Sequence, residues 1–227
     1  MKTAKKYTEK VLLLKEEEYP LDEAVDMLMQ VTTTTFDGTA ELHVVLYTDP
    51  KKGDEQVRAT VTLPHGTGKT LRIAAIVPED MVEDVKRAGA SKAGETNIIK
   101  EIEKGKLDFD VLVAVPQMMK GLGKVAKTLG QKGLMPNPKA GTVTDDPVKT
   151  IQELRQGRIE FRTDTQSIVH AVFGKISFGK EKLTENLRVL LSAIKEARPP
   201  GIKGEYIKSI TIAPTMGPGV RMAVSGI

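Results

Sequence analysis

The chain carries two kinds of strand pattern, and each demands different surroundings. Gly38–Tyr47 (GTAELHVVLY) alternates, with Ala40, Leu42, Val44 and Leu46 on one face and Glu41 and His43 on the other. Strict alternation suits a strand with one face on a core and the other in water. Leu71–Val77 (LRIAAIV) and Val111–Pro116 (VLVAVP) are instead continuous apolar runs, as in strands covered on both faces. The alternating kind returns after Arg158, in IEFRTD, SIVHAVF and YIKSITIA (Tyr206–Ala213). A sheet cannot be half-open and doubly covered along the same strands. The order alternating, continuous, alternating therefore predicts one domain built from both termini and a second inserted in it. The chain would cross near Gly66–Lys69 and Gly157–Glu160.

Helices follow from caps and periodicity. Residues 3–17 form one. A second starts at Pro20, with Asp22 and Glu23 at its positive dipole end and Ala24, Val25, Leu28 and Met29 as its stripe. Turn residues Asp49–Asp54 predict a hairpin between Gly38–Tyr47 and the alternating Val57–Leu63. In the middle third, helices at 79–88 and 95–104, a lysine-faced helix carrying Lys120, Lys124 and Lys127, and one around Asp146–Gly157 capped by Asp146 alternate with the apolar strands, which implies parallel pairing. Later, KISF continues the strand pattern. A long helix over Lys180–Arg198 carries Leu183, Leu187, Leu190, Leu191 and Ile194 as its stripe and stops at Pro199–Pro200–Gly201.

Composition narrows the chemistry. Cysteine is absent, which excludes disulfides, a thiol nucleophile and cysteine-based metal sites. A metal site made of histidine alone would need His43, His65 and His170 together. With 4% aromatic residues and no Trp, the core must be aliphatic. No apolar run reaches the ~18 residues of a membrane-spanning helix, and none resembles a signal segment, so the expected compartment is the cytoplasm.

Charge is segregated. Residues 1–66 carry 8 basic and 12 acidic side chains, residues 67–157 carry 15 and 12, and residues 158–227 carry 11 and 6. Val111–Thr144 holds no acid, five glycines and five lysines: Lys120, Lys124, Lys127, Lys132 and Lys139. A phosphate-rich partner would use such a run, and so would a plainly solvated face.

Two glycine motifs invite a nucleotide reading. GTGKT (Gly66–Thr70) lacks the first P-loop glycine, since Leu63 occupies that position. GLGKVA (Gly121–Ala126) matches the dinucleotide fingerprint after an apolar strand, but without the acidic partner in a following strand. A nucleotide-dependent enzyme using either loop is the alternative from another class. No Ser, His and Asp stand in a nucleophile context, so the residues favour a binding protein over an enzyme.

Further segments carry a resemblance. GLMPNPKAGTV (Gly133–Val143), LPHGTGKT (Leu63–Thr70), TMGPGVR (Thr215–Arg221), FDGTAELHVVL (Phe36–Leu46), IEFRTD (Ile159–Asp164) and GEYIKSITI (Gly204–Ile212) are similar to signature stretches of the large-subunit ribosomal protein L-one family, the bacterial stalk proteins. The resemblance implies an α/β chain of two domains: a split α+β domain (1–66 and 158–227) with a mixed sheet and helices on one side, and an inserted Rossmann-like three-layer α/β domain (67–157). It implies binding of large-subunit ribosomal RNA to build a mobile stalk near the tRNA exit site, help in releasing deacylated exit-site tRNA, and repression of translation from its own messenger RNA. No cofactor, metal or membrane is implied, and the chain would be a monomer off the ribosome. Carried over motif by motif, the RNA contacts fall on Thr35, Phe36, Thr39, Glu41, His170, Lys175, Ser209, Thr215, Met216 and Gly217. The split domain alone is expected to bind RNA. Thr215–Gly217 is expected to be a polar turn with no core to complete, its Gly217 allowing close approach and positive φ. Two stretches depart from the family pattern: Ala88–Ile99 lacks an aromatic and a double glycine, and Val172 stands where a proline is common.

Overall fold

The structure, a computed structural model, describes residues 5–14 and 17–224. Along the chain come α1 (Lys5–Val11), α2 (Leu21–Val31), β1 (Thr39–Leu46), β2 (Arg58–Thr62), β3 (Ile73–Ile76), α3 (Val82–Ala88), β4 (Lys92–Gly94), α4 (Thr96–Glu103), β5 (Val111–Ala114), α5 (Met119–Leu122), α6 (Ala126–Gln131), α7 (Pro147–Gln156), β6 (Arg158–Arg162), β7 (Ile168–Lys175), α8 (Gly179–Glu196), β8 (Ile207–Pro214) and β9 (Val220–Met222). Of the helix expected over 3–17, α1 covers Lys5–Val11 and the described residues 12–14 and 17 are not helical, while residues 3, 4, 15 and 16 lie outside the described residues. Packing divides the chain into two compact units, Met1–Gly68 with Ile159–Ile227, and Lys69–Arg158.

In the first unit, β7, β1, β8 and β9 form a sheet in that order, every pairing antiparallel. Its parallel component is a single bridge from Tyr19 to Met222, so the mixed sheet implied by the resemblance is antiparallel in all its named strands. Even-numbered residues of β1 (Ala40, Leu42, Val44, Leu46) are buried and odd-numbered ones are half-exposed. Helices α2 and α8 pack on the buried face. The α8 stripe Leu183, Leu187, Leu190, Leu191 and Ile194 is fully buried, each side chain contributing about 1.5–3 kcal/mol of apolar transfer. In α2 the stripe ends on Val31, while Met29 is exposed.

The expected hairpin does not form. Both edges of β1 are taken, by β7 and by β8, so β2 pairs with β6 in a separate two-stranded sheet. KISF is not a strand beyond Lys175, because Ile176–Phe178 turns as a 3₁₀ helix leading into α8. The tail TMGPGVRM, rich in turn residues, also supplies β9.

One irregularity re-aims a side chain. Between β1 and β7, Ala40 faces Gly174 while Glu41 faces Val172, which leaves Phe173 as an extra, bulged residue. The bulge shifts the alternation of β7 by one, so odd-numbered Lys175 shares the open face with even-numbered His170. Without it Lys175 would point into the core with Val169 and Ala171. Gly174 sits in this crowding, where a Cβ would lie 2.8 Å from Leu183 Cδ2.

LPHGTGKT is fastened here. Asn186, fully buried on α8, donates to the carbonyls of Gly66 (2.9 Å) and Phe173 (2.8 Å) and accepts from His65 N–H (3.1 Å).

In the second unit, β4, β3 and β5 form a parallel sheet in that order. Ile73, Ala75, Val113 and Val115 pack on one side against α3 and α7, and Ala74, Ile76, Leu112 and Ala114 on the other against α4 and α6. This double covering is why these runs are continuous. Strand β4 came from KAG, too short and polar to read as one. GLMPNPKAGTV closes on itself through Asn137 and Thr142 and adds a parallel bridge from Val143 to Ala114. Asp146 caps α7 as expected, accepting from Lys149 N–H (3.1 Å). The expected lysine-faced helix is broken into α5, a 3₁₀ turn at Gly123–Val125 and α6.

Replacing Asn186 by Leu strands three backbone groups, one of them fully buried. Urea denaturation should show a loss of about 3 kcal/mol, since each orphaned group costs about 1–3 kcal/mol when buried.

Candidate nucleic-acid interface

The side of the first sheet that faces away from α2 and α8 is polar. Directly opposed residues share a face, so the register places His170, His43, Thr211 and Arg221 in one row across all four strands. Val172, Glu41 and Ala213 form the next row, and Lys175 faces Thr39 at the end of the sheet.

Three loops meet at that end. Lys175 Nζ donates to Thr39 Oγ1 (3.0 Å) and to the Asp37 carbonyl (3.4 Å). The Asp37 carboxylate accepts from the Ser177 hydroxyl (2.8 Å) and N–H (3.0 Å), which hold it below the usual carboxylate range. Thr34 Oγ1 donates to the Phe36 carbonyl (3.1 Å). With the loop backbone pinned this way, Thr35 is exposed and the Phe36 ring is 60% exposed. It is not the core residue that a position near a strand start could equally have been.

Thr215 is not a free turn residue. Its hydroxyl accepts from Thr39 N–H (2.9 Å) and donates to the Thr39 carbonyl (3.2 Å), and its own N–H bonds the same carbonyl (2.9 Å). Thr33 Oγ1 donates to the Met216 carbonyl (3.1 Å). The expectation that this stretch completes nothing is overturned: it fastens the ends of β1 and β8 together. The positive φ falls on Met216 (64°), which is 75% exposed, and not on Gly217. Gly217 is required for space, because a Cβ there would lie 2.5 Å from Pro214 Cγ and 3.1 Å from the Val31 carbonyl.

Of the ten residues singled out in the sequence, Thr35, Phe36, Thr39, Lys175, Thr215, Met216 and Gly217 gather at this end. Glu41 and His170 lie further along the open face. Ser209 sits opposite Val45, about 20 Å along the strand from Thr215 at ~3.3 Å per residue.

Sequence reasoning passed over His43 as an outward strand residue. It joins the two sides of the face: its Nδ1 is 2.8 Å from His170 Nδ1, and its Nε2 is 3.9 Å from Glu41 Oε2. His170 Nε2 in turn lies 3.5 Å from Asp164 Oδ2. Also missed were Thr33, Asp37, Ser177, Thr211 and Arg221. Thr211 and Arg221 were available only through strand register.

The glycine motifs are placed differently from nucleotide loops. GLGKVA runs from α5 through the 3₁₀ turn to the first residue of α6, Gly123 having helical φ and ψ (−53°, −36°), so its N–H groups do not cradle a phosphate at a strand-to-helix turn. In GTGKT, Gly68 (φ 74°) packs under Lys175, where a Cβ would fall 2.7 Å from Lys175 Cγ. Among the described residues no cluster of three or more His, Asp or Glu could hold a metal, and no helix is long and apolar enough to cross a membrane.

Residues 28–218 match the family described as Ribosomal protein L1p/L10e. The chain belongs to that family. A relative from Thermosipho melanesiensis, named large ribosomal subunit protein uL1, is 44% identical over 223 residues, covering 97% of this chain and 96% of the relative. The L1p/L10e match spans both boundaries between the units, and it contains all ten residues singled out in the sequence together with His43 and Thr211, Arg221 lying just beyond it.

Two outcomes follow. Thr215→Val should lower folding stability by about 1–2 kcal/mol in urea denaturation, because the Thr39 N–H loses its acceptor. His43 is held below the ordinary imidazole value of 6.5, first by burial and then by His170, with Glu41 opposing. The unfolded chain therefore takes up this proton more readily. The stability it contributes is present above about pH 6.5 and lost as pH falls through the lower folded value. The urea midpoint should fall on acidification from about pH 7.5 to about pH 5, across the imidazole range, and fall less in His43→Gln.

Proposed function

We propose that this protein is a structural constituent of the large ribosomal subunit that binds large-subunit ribosomal RNA through the open face of its antiparallel sheet and the loops at the Thr39 end. The observation that carries the reading is the face itself. One side of the sheet is packed on α2 and α8, and the other offers hydroxyls, imidazoles, a carboxylate and cations from four strands. Structured RNA is read by its shape, its 2′-hydroxyls and its phosphates, and such a mixed polar surface supplies partners for each. Phe36 offers a ring on which a splayed base can stack. Lys175 and Arg221 offer charge to phosphates, and the Thr215–Gly217 turn offers backbone groups.

From family membership we extend the reading further. The bound RNA would form a mobile stalk near the tRNA exit site, where the protein assists release of deacylated tRNA. The same face would bind a mimic of the ribosomal site on its own messenger RNA and repress its translation. In this reading the first unit is the RNA-binding domain and the second, parallel-sheet unit is the inserted domain.

A gel shift of the full chain with large-subunit ribosomal RNA fragments, at two salt concentrations, tests the first claim. One fragment should bind with an affinity that largely survives added salt, as shape-specific contacts do and pure counterion release does not. Uniform, steeply salt-dependent binding to every fragment would defeat it. Phe36→Ala should weaken binding about tenfold or more, since stacking on a base is worth about 1–3 kcal/mol. Folding stability should change by under about 0.5 kcal/mol, because the ring is exposed.

A further inference from the structure

We infer that His43 is a further RNA-contacting residue, which together with the Glu41 carboxylate forms a pair of acceptors for a ribose 2′-hydroxyl, in a tautomer that Asp164 sets through His170. The inference rests on reading the open face as the RNA surface.

His43 Nδ1 and His170 Nδ1 stand 2.8 Å apart with their rings edge to face, 5.0 Å between centroids. Two imidazole nitrogens at hydrogen-bond distance need one N–H and one lone pair between them. Two protons would set N–H against N–H, and none would set lone pair against lone pair. The tautomer of one ring therefore dictates that of the other.

Asp164 decides which way the pair is set. Its Oδ1 accepts from the N–H groups of Gln166 and Ile168, each at 2.8 Å, so the carboxylate is fixed in a tight turn. Its Oδ2 lies 3.5 Å from His170 Nε2. A fixed anion there favours a proton on that nitrogen, as an orienting carboxylate does for many histidines. In neutral His170 the Nδ1 is then the acceptor. His43 Nδ1 carries the proton between the rings, and His43 Nε2 is left with a lone pair. The opposite setting would turn a His170 lone pair toward Asp164, the closer of the two carboxylates.

At the far end of this chain, His43 Nε2 lies 3.9 Å from Glu41 Oε2. That is too long for a hydrogen bond, and both atoms are acceptors. Their side chains are 29% and 43% exposed on the open face, so a donor from outside can reach both. A phosphate oxygen is excluded, because it has no proton to give and meets a carboxylate. A ribose 2′-hydroxyl has the proton, and it is the group that separates RNA from DNA. Burial keeps His43 neutral at ordinary pH, which preserves the lone pair. The face thus divides its work: Lys175 and Arg221 suit phosphates, and Glu41 with His43 suits a hydroxyl.

Full-length protein and the ribosomal RNA fragment bound by the wild type test this. Imidazole nitrogen NMR of the wild type should find His43 unprotonated at Nε2; a protonated Nε2 at neutral pH overturns the inference, whatever any variant does. His43→Ala should lose about tenfold in affinity. Asp164→Asn keeps an oxygen for the turn but offers an N–H to His170, which reverses both tautomers, so it should lose a similar factor. The double variant should be no weaker than His43→Ala alone, whereas independent structural effects would multiply. With 2′-deoxy nucleotides placed singly along the fragment, one position should weaken wild-type binding by a clearly larger factor than it weakens His43→Ala binding, in which Glu41 alone is left to accept. If the wild type binds and His43→Ala stays within twofold, or no such position exists, this inference fails and the wider reading stands. If the wild type binds no fragment, both fail.

Discussion

Everything on the candidate interface depends on the pairing of β1 along both edges. Strand β7 takes one edge and β8 the other, each antiparallel and each from the distant C-terminal third of the chain. Once both ladders are in register, the even residues of β1 must go to the core and the odd ones to the open side. Cross-strand neighbours then inherit the same sides. A slip by one residue would bury Glu41 and His43 and expose Leu42 and Val44. The apolar area held by α2 and α8 opposes such a slip, so the packing on one face fixes the chemistry on the other.

That dependence explains why the irregular places matter. The bulge at Phe173 costs the ladder one pairing, yet it brings Lys175 onto the face where Thr39 can receive it. The turn after β8 holds Met216 in a left-handed backbone that disfavours a side chain, and the Thr215 and Thr33 hydrogen bonds hold it there. Asn186, the fully buried amide, fastens the loop that leaves this unit to the carbonyl of the bulged residue. Polar groups in these positions are satisfied by one another, so the same bonds that stabilise the fold also set where exposed groups point.

Much of this was legible in the residues. The alternation of Gly38–Tyr47 gave the two faces of β1 correctly, and the continuous runs at 71–77 and 111–116 identified the doubly covered strands. The stripe of α8 and the Asp146 cap needed nothing beyond periodicity and local hydrogen bonding. Local reasoning failed where a nearer partner lost to a farther one. The 38–47 and 57–63 segments look like a hairpin because the turn between them is good. Strands β7 and β8 occupy both edges of β1, so β2 is left to β6. The helix over 120–127 failed at Gly123, and β9 was hidden in a tail rich in glycine and proline.

The sequence by itself determined the two faces of β1, the doubly covered strands, the stripe and stop of α8, the Asp146 cap and which family signatures the chain carries, because side-chain periodicity and caps act over a few residues. Only the tertiary structure decided which strands are neighbours, and therefore that His43 meets His170, that Thr215 closes on Thr39, and that Lys175 reaches the open side. The reason is physical: strand pairing joins residues more than a hundred positions apart, and its register is set by the whole buried face, which no local pattern encodes.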